Sequence, residues 1–389
     1  MSLVSAPPAE GLVERAAALV PTLRENAAAT ETARRVSPEM FDALSEAGVF
    51  RMLAPKRHGG YEADFQTQCD VLAEIARGCP STSWVATISS AMSWLAGIFP
   101  REAQEEIFAD GDPRMSGVFS LTGSATPTDG GVLLNGRWPF NTGCHGGRWT
   151  FVNAIVETGD GLPSSMFVRT DEMTILDDWY ASGMAGTGSN SVAAENVFVP
   201  SHRVLPLSAL IDPDDPARPR TDNPYYRYPT VPVLIVNAGG TPLGIARGAL
   251  EAFLERLPGR ALTYTNYTNQ TEAPITHMQV GEAALKIDSA DAHVRLASKI
   301  MDTFTGDPMP LIDRVRTRAH ISHATAIARE VVDTLFQGSG ASAIQPHVPI
   351  QRFQRDIQAL ANHAIMSPLN TTELYGRVLV GLEPNSPLV

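Results

Sequence analysis

Apolar residues recur at helical spacing through the first hundred positions. Between Gly11 and Ala29 they fall at Leu12, Ala16, Leu19, Val20 and Leu23, the pattern of a helix with one buried face. Ser37 reads as an N-cap, with Pro38 at the first helical position and Glu39 in the first turn, opening a helix that carries Met40, Phe41, Leu44 and Val49. The stretch from Phe65 to Ile98 predicts two more helices, broken near Gly78-Cys79-Pro80 and capped by Ser81 or Thr82. Each has an apolar stripe that needs a partner, so these helices are expected to pack together.

The pattern changes near Met115. Short β-prone runs follow at Gly117–Leu121, Val132–Trp138, Trp149–Val156, Ser165–Arg169 and Val192–Val199, with turn signals at Thr128-Asp129-Gly130-Gly131 and Asn135-Gly136. The segment from Asp212 to Pro229, containing DPDDPARPR and YYRYP, has the proline content of a linker or surface loop. Helical periodicity then returns in four long stretches, Val233–Leu257, Thr276–Phe304, Met309–Phe336 and Pro349–Met366. In the second of these, Met278, Ala283, Leu285, Ile287, Ala290, Val294, Ile300 and Met301 lie near one broad stripe, as a bundle helix requires. The expected organisation is an N-terminal α-helical domain over 1–113, a central β domain over 114–215 and a C-terminal four-helix bundle over 216–389.

Composition narrows the picture. The 389 residues are 43% hydrophobic and 19% charged, which is enough apolar material for a large core and too much for a disordered chain. Thirty Lys and Arg against 42 Asp and Glu leave a formal charge of −12, so a phosphate backbone is repelled on average and nucleic-acid binding is not expected. Three cysteines, Cys69, Cys79 and Cys144, have neither CxxC nor metal-ligand spacing, which argues against a disulfide framework and structural zinc and for a reducing, cytoplasmic setting. The opening segment MSLVSAPPAEGLVERAA lacks a basic region followed by an apolar stretch, and no run of about 18 uncharged apolar residues stands out, so neither an export signal nor a membrane span is expected.

Several motifs have competing readings. GMAGTGSNS, Gly183 to Ser191, is glycine-rich like a phosphate loop, but the residues after it, Val192 to Pro200, read as a strand. A dinucleotide loop must open a helix whose amide end holds the pyrophosphate, so that reading fails. A tight turn carrying donors on Thr187, Ser189 and Asn190 stands beside an ordinary β connection. Gly338-Ser339-Gly340 is not a nucleophile elbow, since the pattern is incomplete and no strand precedes it. His320 and His323 lie three apart on one helix, but no Glu-x-x-His pair supplies carboxylates, and no metal is expected. His145 reads as a loop histidine. His363, on a predicted bundle helix among apolar neighbours, reads on its own as a hydrogen-bonded core histidine.

Four segments taken together resemble the acyl-CoA dehydrogenase superfamily over nearly the whole chain. They are APKRHGGYEADF (Ala54 to Phe65), GCPSTSWV (Gly78 to Val85), GRWPFNTGCHGGRW (Gly136 to Trp149) with DWYASGMAGTGSNSVAAENVFVP (Asp178 to Pro200), and FQGSGASAIQPHVPIQRFQRDIQA (Phe336 to Ala359). The resemblance implies an α+β, acyl-CoA dehydrogenase-like fold: a helical domain, a central β-barrel or sandwich and a four-helix bundle, with flavin between them and a homotetramer as the usual assembly. The dehydrogenases place a Tyr-Glu-Gly-Thr segment, whose glutamate removes the α proton of the thioester, after the Arg-Asp pair. Here Arg355-Asp356 is followed instead by His363, and the nearest carboxylate, Glu373, comes too late and in another context. That arrangement is similar to the two-component flavin monooxygenases of the same fold, such as the secosteroid, p-hydroxyphenylacetate and dibenzothiophene enzymes.

What this branch implies is an oxygenase component supplied with reduced flavin, FMNH2 or FADH2, by a separate flavin reductase. Oxygen adds at C4a, and the terminal oxygen of the hydroperoxide passes to a small aromatic, polycyclic or natural-product substrate. Such chemistry needs a dry, donor-lined pocket. Phe140, Asn141 and Thr142 match the positions that the branch places against the isoalloxazine, with Thr142 keeping a hydroxyl near N5 and Asn141 a departure from the usual serine. Trp84, the strand Ser120-Leu121-Thr122, Arg260 and the turn Ser339-Gly340-Ala341 match other flavin contacts. His363 takes the place of a base toward the substrate or a donor toward the peroxide. Met92 stands where the phenol hydroxylases have a second histidine, and with Ile88 and Trp94 nearby it favours a larger apolar substrate. N-hydroxylation of an amine or amino sugar, and an FAD-dependent dehydrogenase with a relocated base, are the alternatives.

Overall fold

Local signals set most of the helix ends. In the computed structural model, which describes residues 9–158, 161–305, 308–386 and 388–389, the first expected helix is two: α1 (Leu12–Ala18) and α2 (Val20–Ala33), which restarts with Pro21 in its first turn. Proline tolerates that position because the N–H it lacks would be unpaired there anyway. The first eight residues of the opening segment lie outside the described residues. Helix α3 (Pro38–Glu46) is capped as expected, the Ser37 hydroxyl accepting from Met40 N at 3.3 Å. Helix α4 (Phe65–Gly78) is capped by Asp64, which accepts from Thr67 N at 2.8 Å. Helix α5 (Pro80–Ala96) begins at Cys79, so the expected caps Ser81 and Thr82 fall inside its first turn. A short α6 (Arg101–Ile107) closes the block. Every residue of α5 but Ile88 is buried, because α4, the sheet and the C-terminal helices all pack on it.

The strands are β1 (Met115–Thr128), β2 (Gly131–Trp138), β3 (Trp149–Val156), β4 (Leu162–Arg169), β5 (Thr174–Ile175), β6 (Val192–Pro200) and β7 (Val204–Pro206). They form one mixed seven-stranded sheet in the order β5-β6-β2-β1-β3-β4-β7, with only the β1–β3 pair parallel, which curls so that β4 and β6 meet and a core of its own lies within it. Thr128–Gly131 is the β1–β2 hairpin turn. Asn135-Gly136 is not a turn. It stays inside β2, where pairing with β6 shifts register between Leu134 and Gly136. The glycines there make room for a ring, since a Cβ on Gly123 of the paired strand would lie 2.1 Å from the buried Trp138 indole. β1 is itself irregular, with register shifts against β3 between Gly117 and Gly123.

The proline-rich segment 212–229 is not a loose linker. Arg218 is buried in it and donates to the carbonyls of Ala209, Leu210 and Tyr226, and burial lowers its pKa to about 10. Tyr226 is buried as well and donates to Leu53 O at 3.1 Å, tying the segment to the N-terminal helices.

The remaining helices are α7 (Leu207–Ile211), α8 (Thr230–Ala238), α9 (Gly240–Arg256), α10 (Pro274–Asp302), α11 (Leu311–Gly338), α12 (Ile350–Ala361) and α13 (Pro368–Leu379). α8 and α9 run on as a 27-residue rod, Thr230–Arg256, apolar and long enough by composition to cross a membrane. Most of it is buried in protein, which accounts for the composition. Gly240 and Gly244 let it touch α4, where a Cβ would lie 2.2 and 2.1 Å from the carbonyl oxygens of Cys69 and Ala73. On α10 the core stripe is Ala283, Ile287, Ala290, Val294, Ala297 and Met301, whereas Met278 and Leu285, expected on it, are 74% and 72% exposed. His320 and His323 of α11 join His293 of α10 in an imidazole cluster, with His293 Nδ1 and His320 Nδ1 2.9 Å apart. Helix α12 ends at Ala361, so His363 lies in the α12–α13 turn rather than on a helix, and α13 is an element the periodicity did not predict.

Candidate active site

Trp84, Ile88 and Met92 follow one another at four-residue spacing on α5 and so share one face. The Trp84 ring meets the His363 ring edge-on, centroids 5.2 Å apart. The turn that carries His363 is fixed on both sides, His363 N donating to Leu360 O at 3.0 Å and Met366 N to His363 O at 2.8 Å. His363 is exposed at this turn, and the protein packed beside its ring, Trp84 included, lowers its pKa below the ordinary 6.5 by disfavouring the charged form. It is therefore neutral at pH 7, able to accept a proton. Met92 is buried, and its sulfur packs over Gly117, where a Cβ would lie 2.5 Å from Sδ. Gly117 in turn makes an isolated antiparallel bridge with Thr142. Helix α5, the irregular part of β1 and the loop after β2 thus converge.

In that loop Phe140 has φ +63°, is 65% exposed and meets Trp179 edge-on at 5.6 Å. A left-handed aromatic residue is strained and persists only where its surroundings hold it. Asn141 is fully buried, its N–H donating to Asn190 O at 3.2 Å, while neither atom of its side-chain amide has a partner among the described residues. The Thr142 hydroxyl lies 2.8 Å from that of Ser189, Ser189 lies 2.7 Å from Thr187 Oγ1, and Thr187 donates to Met184 O at 2.8 Å. The GMAGTGSNS segment therefore lies along Thr142 as a row of hydroxyls rather than as a bare connection.

The same segment is clamped by α12. Asp356 Oδ1 accepts from Met184 N at 2.5 Å, Arg355 donates to Ser182 O at 2.8 Å, and Gly183 sits so close to the Arg355 carbonyl that a Cβ would lie 2.1 Å from it. Burial pushes the Asp356 carboxyl up to about 7 against the lowering effect of the Met184 N–H, and its Oδ2 has no partner among the described residues. On β1, Ser120 Oγ is buried without a partner among the described residues, Leu121 is exposed, and Thr122 donates to Arg137 O at 2.7 Å.

Arg260 and the turn at Ser339 form a second cluster. Arg260 Nη2 donates to Ser339 O and its Nη1 is buried without a partner among the described residues. Gly340 has φ +64°, a backbone conformation that favours glycine, and it packs close to Arg260 Nη2. Ala341 opens the short 3-10 turn Ala341–Ile344.

Other candidates separate from these clusters. His145 donates from Nε2 to Asn190 Oδ1 at 3.1 Å, the Asn190 amide nitrogen being committed to Leu176 O. It lines two open hollows of about 220 and 500 Å³, neither of which includes Trp84, Thr142 or His363. Glu373 is exposed on α13 and accepts from Asn385 Nδ2 at 2.6 Å. Trp179 was not singled out in the sequence, and Asp356 only as half of the Arg-Asp pair before His363; both lie in segments that carry the family resemblance, which is the signal that could have found them.

The unmet groups offer a test of fit for a flavin. A buried amide, hydroxyl or guanidinium N–H without a partner costs on the order of 1–3 kcal/mol, so Asn141, Ser120 and Arg260 call for a ligand with both donors and acceptors. A flavin nucleotide offers ring N–H and carbonyl groups on one edge of its isoalloxazine, apolar ring faces, and phosphate oxygens that suit a guanidinium. The residues present fit. Fold and site together define a flavin-type member of the α-β-α dehydrogenase architecture without the carboxylate base.

Comparison with known proteins agrees. Residues 12–109 match the acyl-CoA dehydrogenase N-terminal domain and residues 237–368 the acyl-CoA dehydrogenase C-terminal domain. The chain is 33% identical to the flavin-dependent monooxygenase oxygenase subunit HsaA of Rhodococcus jostii, covering 97% of this chain and 100% of that one. It is 29% identical to the FADH2-dependent resorcinol hydroxylase oxygenase component of a Rhizobium strain, covering 96% and 95%. The structure of XiaF from Streptomyces, in complex with FADH2 and glycerol, superposes with a TM-score of 0.90 at 30% identity, covering 97% of this chain and 96% of that one. The chain belongs to the acyl-CoA dehydrogenase family, in its flavin-dependent monooxygenase branch.

Proposed function

We propose that this protein is the oxygenase component of a two-component flavin-dependent monooxygenase. It takes reduced flavin, FMNH2 or FADH2, from a separate reductase and hydroxylates a small aromatic or polycyclic substrate with dioxygen. The observation that carries the reading is His363, a neutral imidazole set against Trp84 where, by the family resemblance, the dehydrogenases of this fold place a carboxylate.

When bound, the reduced isoalloxazine supplies the electrons that activate dioxygen. His363 accepts the proton of the substrate hydroxyl or amine, which raises electron density at the atom to be hydroxylated. Trp84, Ile88 and Met92 give the cleft an apolar wall that excludes water. Phe140, Asn141, Thr142 and the Ser120–Thr122 strand hold the ring, and Arg260 with Ser339, Gly340 and Ala341 takes the adenylate end when the flavin is FADH2. The exposed position of Glu373 weighs against a dehydrogenase with a relocated base. Apolar residues left exposed on α10, Ile275, Met278 and Leu285, support a homotetramer. Three free, buried cysteines suit a cytoplasmic protein.

The test supplies chemically reduced FMN or FAD, dioxygen and a panel of phenols, indoles and polycyclic phenols. Hydroxylated product supports the reading. Reduction of bound FAD by an acyl thioester, without hydroxylation of any aromatic, contradicts it.

A further inference from the structure

The row of hydroxyls beside Thr142 has a direction. Each hydroxyl owns one proton and can accept through its lone pairs. A carbonyl only accepts, so Thr187 spends its proton on Met184 O, 2.8 Å away. In the 2.7 Å contact between Thr187 and Ser189 the donor is then Ser189. With that proton spent, the donor in the 2.8 Å contact between Thr142 and Ser189 is Thr142. Three protons fill three contacts in one arrangement. Any other leaves two oxygens facing each other at hydrogen-bond distance without a hydrogen, which is repulsive in a buried site.

The consequence falls on Thr142. Its proton points inward along the row, and only lone pairs are left toward the cleft. Thr142 is a hydrogen-bond acceptor there and nothing else. Met184, where the row ends, is fixed by the Asp356 carboxylate, and Gly183 and Gly186 pack against Arg355 and Ser81, so the row cannot easily turn round.

We infer that Thr187 and Ser189 are positioning residues that lock Thr142 as an acceptor and thereby make the site select the reduced over the oxidised flavin. This rests on the proposed function, with the Thr142 hydroxyl near N5 as the family resemblance implies. Reduced flavin carries an N–H at N5, which Thr142 accepts. Oxidised flavin has a lone pair there, which meets the lone pairs of Thr142. An oxygenase fed by a separate reductase must take up one redox form and let the other go, and the row supplies that preference without a charged group.

Anaerobic titration of the whole protein with FMN and with FAD, each oxidised and reduced, gives the ratio of the two dissociation constants. The wild type is expected to bind the reduced form more tightly. Thr187→Val removes a residue that does not touch the ligand, frees the Ser189 proton to point at Thr142, and so frees the Thr142 proton to point at N5. The ratio should fall about tenfold, equivalent to about 1.4 kcal/mol. Ser189→Ala should do the same, while Thr187→Ser, which restores the row, should keep the wild-type ratio. An unchanged ratio in Thr187→Val and Ser189→Ala, or an equal loss in Thr187→Ser, overturns the inference. Should the variants fail to fold, the wild type still decides: the midpoint potential of bound flavin must lie above that of free flavin, and a lower or equal one overturns it. A wild type that binds neither redox form of either flavin refutes the proposed function itself, and the inference falls with it.

Discussion

The indole of Trp84 and the imidazole of His363 stand edge to face, 5.2 Å between centroids at 67°, and so join α5 to the turn between α12 and α13. The two residues are far apart in sequence and neither element makes a cleft alone. The apolar helix supplies a wall that lowers the local dielectric, and the turn supplies one titratable group whose charged form that wall disfavours.

His363 is expected to act as the neutral base. Its pKa is lowered, so activity should be flat above 6.5 and fall as pH drops through the depressed value, where the imidazole becomes protonated. His363→Gln should lose about 10² to 10⁴ in hydroxylation rate and lose this acidic limb. A pH profile with externally reduced flavin checks both.

Thr142→Val should leave the fold intact and uncouple the enzyme. Without the acceptor at N5, the ratio of hydrogen peroxide released to product formed should rise severalfold while oxygen consumption continues. Simultaneous assay of peroxide and product decides it, and an unaltered ratio removes Thr142 from the ring.

Arg260 is expected to separate the two flavins. Its Nη1 lacks a partner among the described residues, beside the Ser339–Ala341 turn proposed to take the adenylate end of FADH2. Arg260→Ala should weaken FADH2 binding about tenfold, the scale of one charge-assisted hydrogen bond, and leave FMNH2 binding unchanged. Equal effects on both would place the arginine near a group the two share.

Asp356 should make stability depend on pH. Its carboxyl is raised from 3.8 to about 7 in the fold, so the folded chain holds that proton more tightly than the unfolded one. The resulting cost is absent below 3.8, grows through the window up to about 7 and is complete above it. Asp356→Asn keeps an acceptor for Met184 N and removes the cost. Its thermal midpoint should exceed that of the wild type at pH 8, reflecting roughly 1 kcal/mol or more, and the gap should close toward pH 4. A gap independent of pH contradicts the assignment.

What was legible in the sequence was what local chemistry decides. Ser37 with Pro38 marked a helix start, Thr128–Gly131 marked a hairpin, and a β-prone run marked β3 at its observed ends. β5 and β7 were missed because two or three paired residues carry no period. Asn135-Gly136 misled because a bulge and a turn ask for the same residues. The long helix through His363 was an error of continuity: apolar Ile365 and Met366 extend the pattern, although the chain has already turned at Asn362. α13 buries only Thr371 and Leu374, too few for a stripe. Trp84, Phe140, Thr142 and His363 came from resemblance. The order of donation from Thr142 through Ser189 to Thr187 did not, since it needs the β2 loop and the β5–β6 connection laid side by side.

The central claim is that this cleft uses reduced flavin to place one atom of dioxygen on an aromatic substrate with His363 as base. The direct measurement is a single turnover with isotopically labelled dioxygen and chemically reduced flavin, comparing wild type with His363→Gln. One labelled oxygen per product in the wild type, and almost none in the variant, is the predicted result. Product without label, or the same labelled yield from both proteins, contradicts it.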